Sequence, residues 1–305
     1  MRGIWALLGL LIATVPARAT LPAEQPYRIA PYGRLTTDVY VNGQGPFSFL
    51  IDTASSRTLI FEHVRQKLNL PQSQPDHLLV YGINDVAAAL PVKPDSVSVA
   101  GEEIHGLTLA VLPDSEPNEP DGVLGVDVLA RYFVVLDRST MRLKLLPPGS
   151  DSAKPYLDWA EAQLTSHALR NFPISFWYLG ARFNEHRFTT LFDLGAGTTM
   201  MNWDAAEELG LHKRDFDHYG PPPDQLQDVL GKRSPAVRLM NLEVGLPGKS
   251  WNKQLAIVAD APVFGYFDLE EKPAAIVGPG LLGDTSLAID FAGGKLYLGP
   301  TLDTR

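Results

Sequence analysis

The chain repeats itself, and a duplication changes how every later residue is read. Residues 47–70, FSFLIDTASSRTLIFEHVRQKLNL, align without a gap on residues 188–211, FTTLFDLGAGTTMMNWDAAEELGL. Phe47 matches Phe188, Leu50 matches Leu191, Asp52 matches Asp193, Thr58 matches Thr199, and Leu68 and Leu70 match Leu209 and Leu211. Each copy reads as an apolar strand ending in aspartate, a tight turn of small residues, more extended chain, and a short amphipathic helix. A second pair of segments repeats in the same order, GVLGVDVLARYFVVLDRSTMRLKLLP from Gly122 and AIVGPGLLGDTSLAIDFAGGKLYLGP from Ala275. There Gly125 matches Gly278, Leu129 matches Leu282, Asp137 matches Asp290 and Leu143 matches Leu296. Preserved order is what a duplicated domain predicts.

In both copies two apolar residues precede a glycine, Val123-Leu124-Gly125 and Ile276-Val277-Gly278, which lets another segment approach closely before a short helix. A final apolar strand follows, through Phe133-Val134-Val135-Leu136 and Leu287-Ala288-Ile289. Asn42-Gly43 between extended runs predicts a hairpin. With most other segments short and punctuated by Gly and Pro, the expected class is mainly β, in two lobes related by a pseudo-twofold axis. The boundaries expected are lobe one over 27–149, a Pro-, Ser- and Asp-rich linker over 150–164, and lobe two over 165–305.

The 305 residues are 45% hydrophobic and 20% charged, enough apolar material for one large or two small cores. Residues 1–19 differ from the rest: Arg2, an apolar run over 4–15, then Ala17-Arg18-Ala19. The run is shorter than the roughly 20 residues a membrane helix needs, and the small residues suit signal peptidase, so a cleaved export signal is expected rather than an anchor. Export places the mature protein in the periplasm or outside the cell. There is no cysteine, so burial alone must hold it together. The formal charge of −9, more negative still once Arg2 and Arg18 are removed, repels phosphate backbones and excludes nucleic acid as a partner. No later stretch reads as membrane-spanning.

A strand-terminal aspartate followed by Thr and Ser is, taken alone, most simply a turn-former. Two of them at matched positions mean more, because a pseudo-twofold axis would bring Asp52 and Asp193 together. Like charges in contact cannot both ionise easily, so such a pair holds one proton. One carboxylate then serves as base toward water while its protonated partner polarises a carbonyl, which is hydrolysis without metal or covalent intermediate. Asp137 and Asp290 precede hairpins, DRSTMR and DFAGGK, and read as turn acids. The seven histidines form no His-Glu-x-x-His pattern, and no Gly-x-Ser-x-Gly elbow occurs. The fragment GLPGKS has Glu243 where a phosphate loop needs its first glycine.

These features resemble the aspartic proteases, specifically two retropepsin-type modules fused in one chain, as in a bacterial-type exported member. Asp52-Thr53-Ala54-Ser55 and Asp193-Leu194-Gly195-Ala196 occupy that family's Asp-Thr/Ser-Gly-Ala/Ser position, and Leu124-Gly125 and Val277-Gly278 its apolar-Gly position. The resemblance implies Asp52 and Asp193 as catalytic residues, supported by the two loops that follow them. It also implies β-hairpin flaps over a cleft that holds an extended peptide or protein substrate, and needs no cofactor or metal. Flap turns are expected at Gly82-Ile83-Asn84, with Tyr81 as a flap aromatic, and at Gly231-Lys232. Because both half-sites lie in one chain, a monomer suffices.

Two positions depart from the pattern. Ala54 stands where the family has glycine, and Leu194 where it has a hydroxyl residue. In the family, paired hydroxyls cross-brace the lobes beneath the carboxylates. Thr53 retains this group, whereas Leu194 has neither donor nor acceptor, so a one-sided brace is expected. Ser55 has a hydroxyl for Asp52 and Ala196 has none for Asp193, so Asp52 is expected to be the better stabilised anion. Three functions follow from different classes: an exported endopeptidase using the Asp52/Asp193 dyad, a catalytically silent bilobal protein that binds extended peptides, and an all-β scaffold or carbohydrate-binding module.

Overall fold

The computed structural model describes residues 24–73, 76–114, 120–169, 175–215, 224–228, 230–282 and 285–302. The export signal expected at residues 1–19 lies outside them. Among the described residues no helix is long and apolar enough to cross a membrane.

Strands dominate, and those described gather into sheets of fifteen and eight. The Asn42-Gly43 hairpin forms between Leu35–Val41 and Gln44–Ile51, with both turn residues at positive φ (51° and 71°), the pair of conformations a two-residue turn between right-twisted strands requires. GLPGKS is likewise a hairpin, turning at Pro247-Gly248 between Arg233–Leu246 and Lys249–Val258.

The duplicated segments fold alike. In lobe one the strand Gly122–Leu124 threads between Gln44–Ile51 and Leu59–Phe61, parallel to the first and antiparallel to the second. In lobe two Ala274–Val277 does the same between His186–Phe192 and Thr199–Met201. The threaded strand forces its two neighbours apart, so the aspartate turn that joins them opens instead of closing as a hairpin. Its backbone then fixes the aspartate: Asp52 N donates to Leu124 O at 3.1 Å and Asp193 N to Val277 O at 3.0 Å. Gly125 and Gly278 are demanded by space. A Cβ would stand 2.7 Å from the Arg57 carbonyl carbon at the first and 2.4 Å from Ala196 O at the second, and neither neighbour can yield without moving backbone. Short helices follow where expected, Glu62–Lys67 and Trp203–Glu208 after the aspartate turns, Val126–Leu129 and Pro279–Leu282 after the glycines.

The lobes are joined by hydrogen-bonded sheet. Phe133–Asp137 of lobe one pairs antiparallel with Thr285–Asp290 of lobe two, and in its register Val135 lies opposite Ala288. These two stand at matching positions, two residues before Asp137 and Asp290, so the pseudo-twofold axis passes between them. The segment 150–164, expected as a linker, is structured: a 3-10 helix at Asp151–Tyr156 and a strand, Ala160–Gln163, that pairs with Lys295–Thr301. Phe133, Val135, Ala288 and Tyr297 bury one face of this shared sheet, with Tyr156 and Trp159 packed over it. Asp137 and Asp290 cap their own turns, accepting from Ser139 N and from Gly293 N.

Candidate active site

The axis that pairs Val135 with Ala288 also brings the two aspartate turns together. Asp52 Oδ1 accepts from the backbone N–H groups of Ala54 and Ser55, both at 2.8 Å, and Asp193 Oδ1 from those of Gly195 (2.8 Å) and Ala196 (3.1 Å). With one oxygen of each carboxyl tethered identically, the others are left to meet. Gly195 Cα lies against the Asp52 carboxyl so closely that a Cβ there would stand 2.4 Å from Cγ and Oδ2. Asp52 and Asp193 are near enough to share a side-chain hydrogen bond.

Burial raises both acids above their ordinary value. At Asp52 the rise is opposed by the amides of Ala54 and Ser55 and by the bond to Asp193. At Asp193 the negative charge of Asp52 adds to burial and pushes the group well above its ordinary value, against the amides of Gly195 and Ala196. Two carboxyls raised by burial and sharing a hydrogen bond hold one proton between them, and the dyad loses it as a pair. The Ser55 contribution is its backbone N–H, because its hydroxyl donates instead to Arg57 O at 2.9 Å.

Beneath the carboxyls the brace is one-sided. Thr53, fully buried, donates its hydroxyl to Phe192 O at 2.7 Å and accepts from Leu194 N at 2.9 Å, crossing from lobe one to lobe two. Leu194 occupies the matching position with an apolar side chain, also fully buried. Ala54, where the family pattern has glycine, packs its methyl against the lobe-two apolar cluster that Ala196 also touches.

Both expected hairpins form. In lobe one Leu78–Tyr81 and Val86–Val92 flank a turn in which Gly82 N donates to Asp85 O at 2.8 Å. In lobe two Asp224–Gln227 and Arg233–Leu246 flank a turn with Gly231 at φ 75°. The turns meet. Ile83 joins the lobe-two cluster that Ala54 and Ala196 touch, while Leu230 joins a lobe-one cluster containing Leu50, Leu59 and Val123. Each tip thus places an aliphatic side chain on the opposite lobe. Ile83 O accepts from Val263 N at 3.0 Å, and the Tyr81 ring meets Tyr266 edge-on at 5.1 Å. Val263, Tyr266, Asp228 and Leu230 were not singled out from sequence. Asp228 begins the turn that Gly231 marks, and that proximity was the one signal available for it.

A sequence model of the aspartyl protease family matches residues 37–128, the part of lobe one that carries Asp52 and Gly125. No curated protein matches the chain. Among solved structures, conglutin gamma, a basic 7S globulin from lupine seeds, is similar over 92% of this chain and 95% of its own at 11% identity and a TM-score of 0.51. Basic 7S globulin from soybean is similar over the same shares at 11% identity and a TM-score of 0.48. At such identity the lupine likeness speaks to fold alone. The class that fold and family match define is a bilobal, mainly β, acid-protease-like protein.

Proposed function

We propose that the protein is an exported aspartic-type endopeptidase of two fused retropepsin-like lobes, 27–149 and 165–305, in which Asp52 and Asp193 act as the catalytic pair. The observation that carries this reading is the paired dyad: two buried carboxyls with matching amide tethers at a lobe interface, near enough to share a hydrogen bond and so to hold one proton between them. Asp52 takes a proton from water as the water oxygen attacks the peptide carbonyl carbon, and Asp193 gives its proton to the carbonyl oxygen. The resulting tetrahedral diol collapses by breaking the C–N bond: the proton Asp52 took from water passes to the leaving amine, and a diol hydroxyl returns a proton to Asp193 as the product carboxyl forms. Substrate lies extended beneath the two hairpins. No metal or cofactor takes part, one chain supplies both half-sites, and residues 1–19 direct export and are removed.

A second reading is favoured by Ala54 and Leu194: a silent binder of extended peptides in the same cleft. One experiment separates the two. The mature protein, Asp52→Asn and Asp193→Asn are incubated with a diverse peptide library from acidic to neutral pH. Cleavage by the first and by neither variant supports the enzyme. Binding of a statine-containing peptide with no cleavage at any pH supports the binder, and equal cleavage by all three rejects the dyad. N-terminal sequencing of the protein recovered outside the cytoplasm tests export.

A further inference from the structure

The hairpin turns are tied by more than their exchanged aliphatic tips, and the tie centres on one carboxylate. Asp228, only 8% exposed, sits at the mouth of the lobe-two turn. Its Oδ1 accepts from Leu230 N at 3.0 Å and Lys232 N at 2.9 Å, holding that turn in shape. Its Oδ2 reaches across to lobe one and accepts from Asn84 N at 2.9 Å. Asn84 returns the link, donating from Nδ2 to Leu226 O (3.3 Å) and Lys232 O (3.1 Å). Gly82 permits the approach, since a Cβ there would stand 2.8 Å from Asp228 Oδ2 and 3.0 Å from Leu230 Cδ1. A peripheral ion pair, Lys232 with Asp85 at 3.6 Å, adds little on so exposed a surface.

We propose that Asp228 is a positioning residue for the site: from lobe two it sets the position of the lobe-one hairpin, so that the two turns are held together and a peptide enters when the Asp228–Asn84 tie opens. The inference rests on the cleft being the peptide site. Its physical basis is an asymmetry in what one side chain does. Asp228 Oδ1 serves its own lobe and Oδ2 the opposite one, so the shape of one hairpin and the position of the other depend on the same group. Ile83 is thereby pinned on the apolar wall shared with Ala54 and Ala196, where a bound peptide's side chain would need room.

The test uses the full-length mature protein and Asn84→Ala, Asp228→Ala, Asp228→Asn and Gly82→Ala. Amide hydrogen exchange is read at residues 82–86 and 230–232, and association and dissociation rates are measured for a statine-containing peptide. Asn84→Ala removes the two Nδ2 bonds to Leu226 O and Lys232 O, keeps the backbone N–H on Asp228 Oδ2, and removes no bond within the lobe-two turn. It is expected to raise exchange at 82–86 and the association rate by roughly 2- to 12-fold for each hydrogen bond lost, leaving 230–232 and the unfolding midpoint in place. Gly82→Ala acts in the same direction by crowding. Asp228→Ala loosens both turns, and Asp228→Asn, which keeps an accepting oxygen, recovers part of the protection. If Asp228→Ala deprotects 230–232 alone, leaving exchange at 82–86 and the association rate unchanged, Asp228 merely shapes its own turn and the proposal is overturned. A statine peptide that binds no variant, wild type included, counts against the dyad reading, and exchange at 82–86 still decides the tie.

Discussion

Replacing Thr53 by valine should destabilise the protein far beyond the loss of one hydroxyl. Valine has the shape of threonine, so packing is preserved and the change isolates the two hydrogen bonds across the lobe interface. Phe192 and Leu194, whose carbonyl and N–H they satisfy, are fully buried, and water does not reach either group to replace the hydroxyl. An orphaned buried backbone group costs about 1–3 kcal/mol, so the pair costs about 2–6 kcal/mol, a large share of the ~5–15 kcal/mol that keeps a domain folded. In a symmetric brace a second hydroxyl would bear part of the load, but Leu194 cannot. Urea unfolding of Thr53→Val beside Thr53→Ser, which keeps the hydroxyl, measures the difference. A Thr53→Val loss under about 1 kcal/mol, with the denaturant slope unchanged, would refute the claim that this hydroxyl braces the lobes.

Two further outcomes follow from the dyad. Asp193 is raised well above its ordinary 3.8 by burial and by the charge of Asp52, so between that value and its native value the folded protein holds a proton the unfolded chain has released. Stability from this group is full below 3.8 and falls as pH rises through the window, so Asp193→Asn should unfold later than wild type at neutral pH and lose that advantage toward pH 3.8; melting curves across pH showing a constant difference would contradict it. Gly195→Ala would place a Cβ 2.4 Å from the Asp52 carboxyl, which two amides hold in place. It should cost roughly 1–3 kcal/mol by overpacking and weaken binding of a statine peptide, and unaltered binding by titration calorimetry would mean that the carboxyl has freedom to move aside.

What the sequence made legible, and what it did not, divides by range. The aspartate turns, the Asn42-Gly43 hairpin, the short helices and both flap turns depend on local chemistry, on Gly and Asn at positive φ or on an apolar period, and each lies in its own few residues. The matched glycines announced a close approach without saying to what; the answer, backbone at Arg57 and at Ala196, comes from a strand threaded in from far along the chain. The shared sheet was hidden for a related reason. Phe133–Asp137 has the continuous apolar run of a strand buried on both faces, but such a run does not name its neighbour, and its neighbour is the same segment of the other copy. Ala160–Gln163 was masked by Pro and Ser just before it, although its pairing with Lys295–Thr301 extends that sheet.

The hairpin tie was the least legible element, and for a reason that bears on how the site works. Asp228 followed by Gly231 is what any capped turn looks like, and Asn84 after a glycine is equally ordinary; the link between them exists because one lobe is a rotated copy of the other. The same rotation that superposes the aspartates delivers both hairpins to one place. There the Asp228 carboxylate meets the Asn84 backbone N–H, and the Asn84 side-chain amide meets the carbonyls of Leu226 and Lys232. The lobes are thus tied at two levels, by Thr53 beside the carboxyls and by Asn84 and Asp228 at the hairpin turns. At the carboxyls the tie runs one way, from the Thr53 side chain to lobe-two backbone, whereas at the hairpins each lobe's side chain bonds the other's backbone, so the two levels hold the cleft by different means.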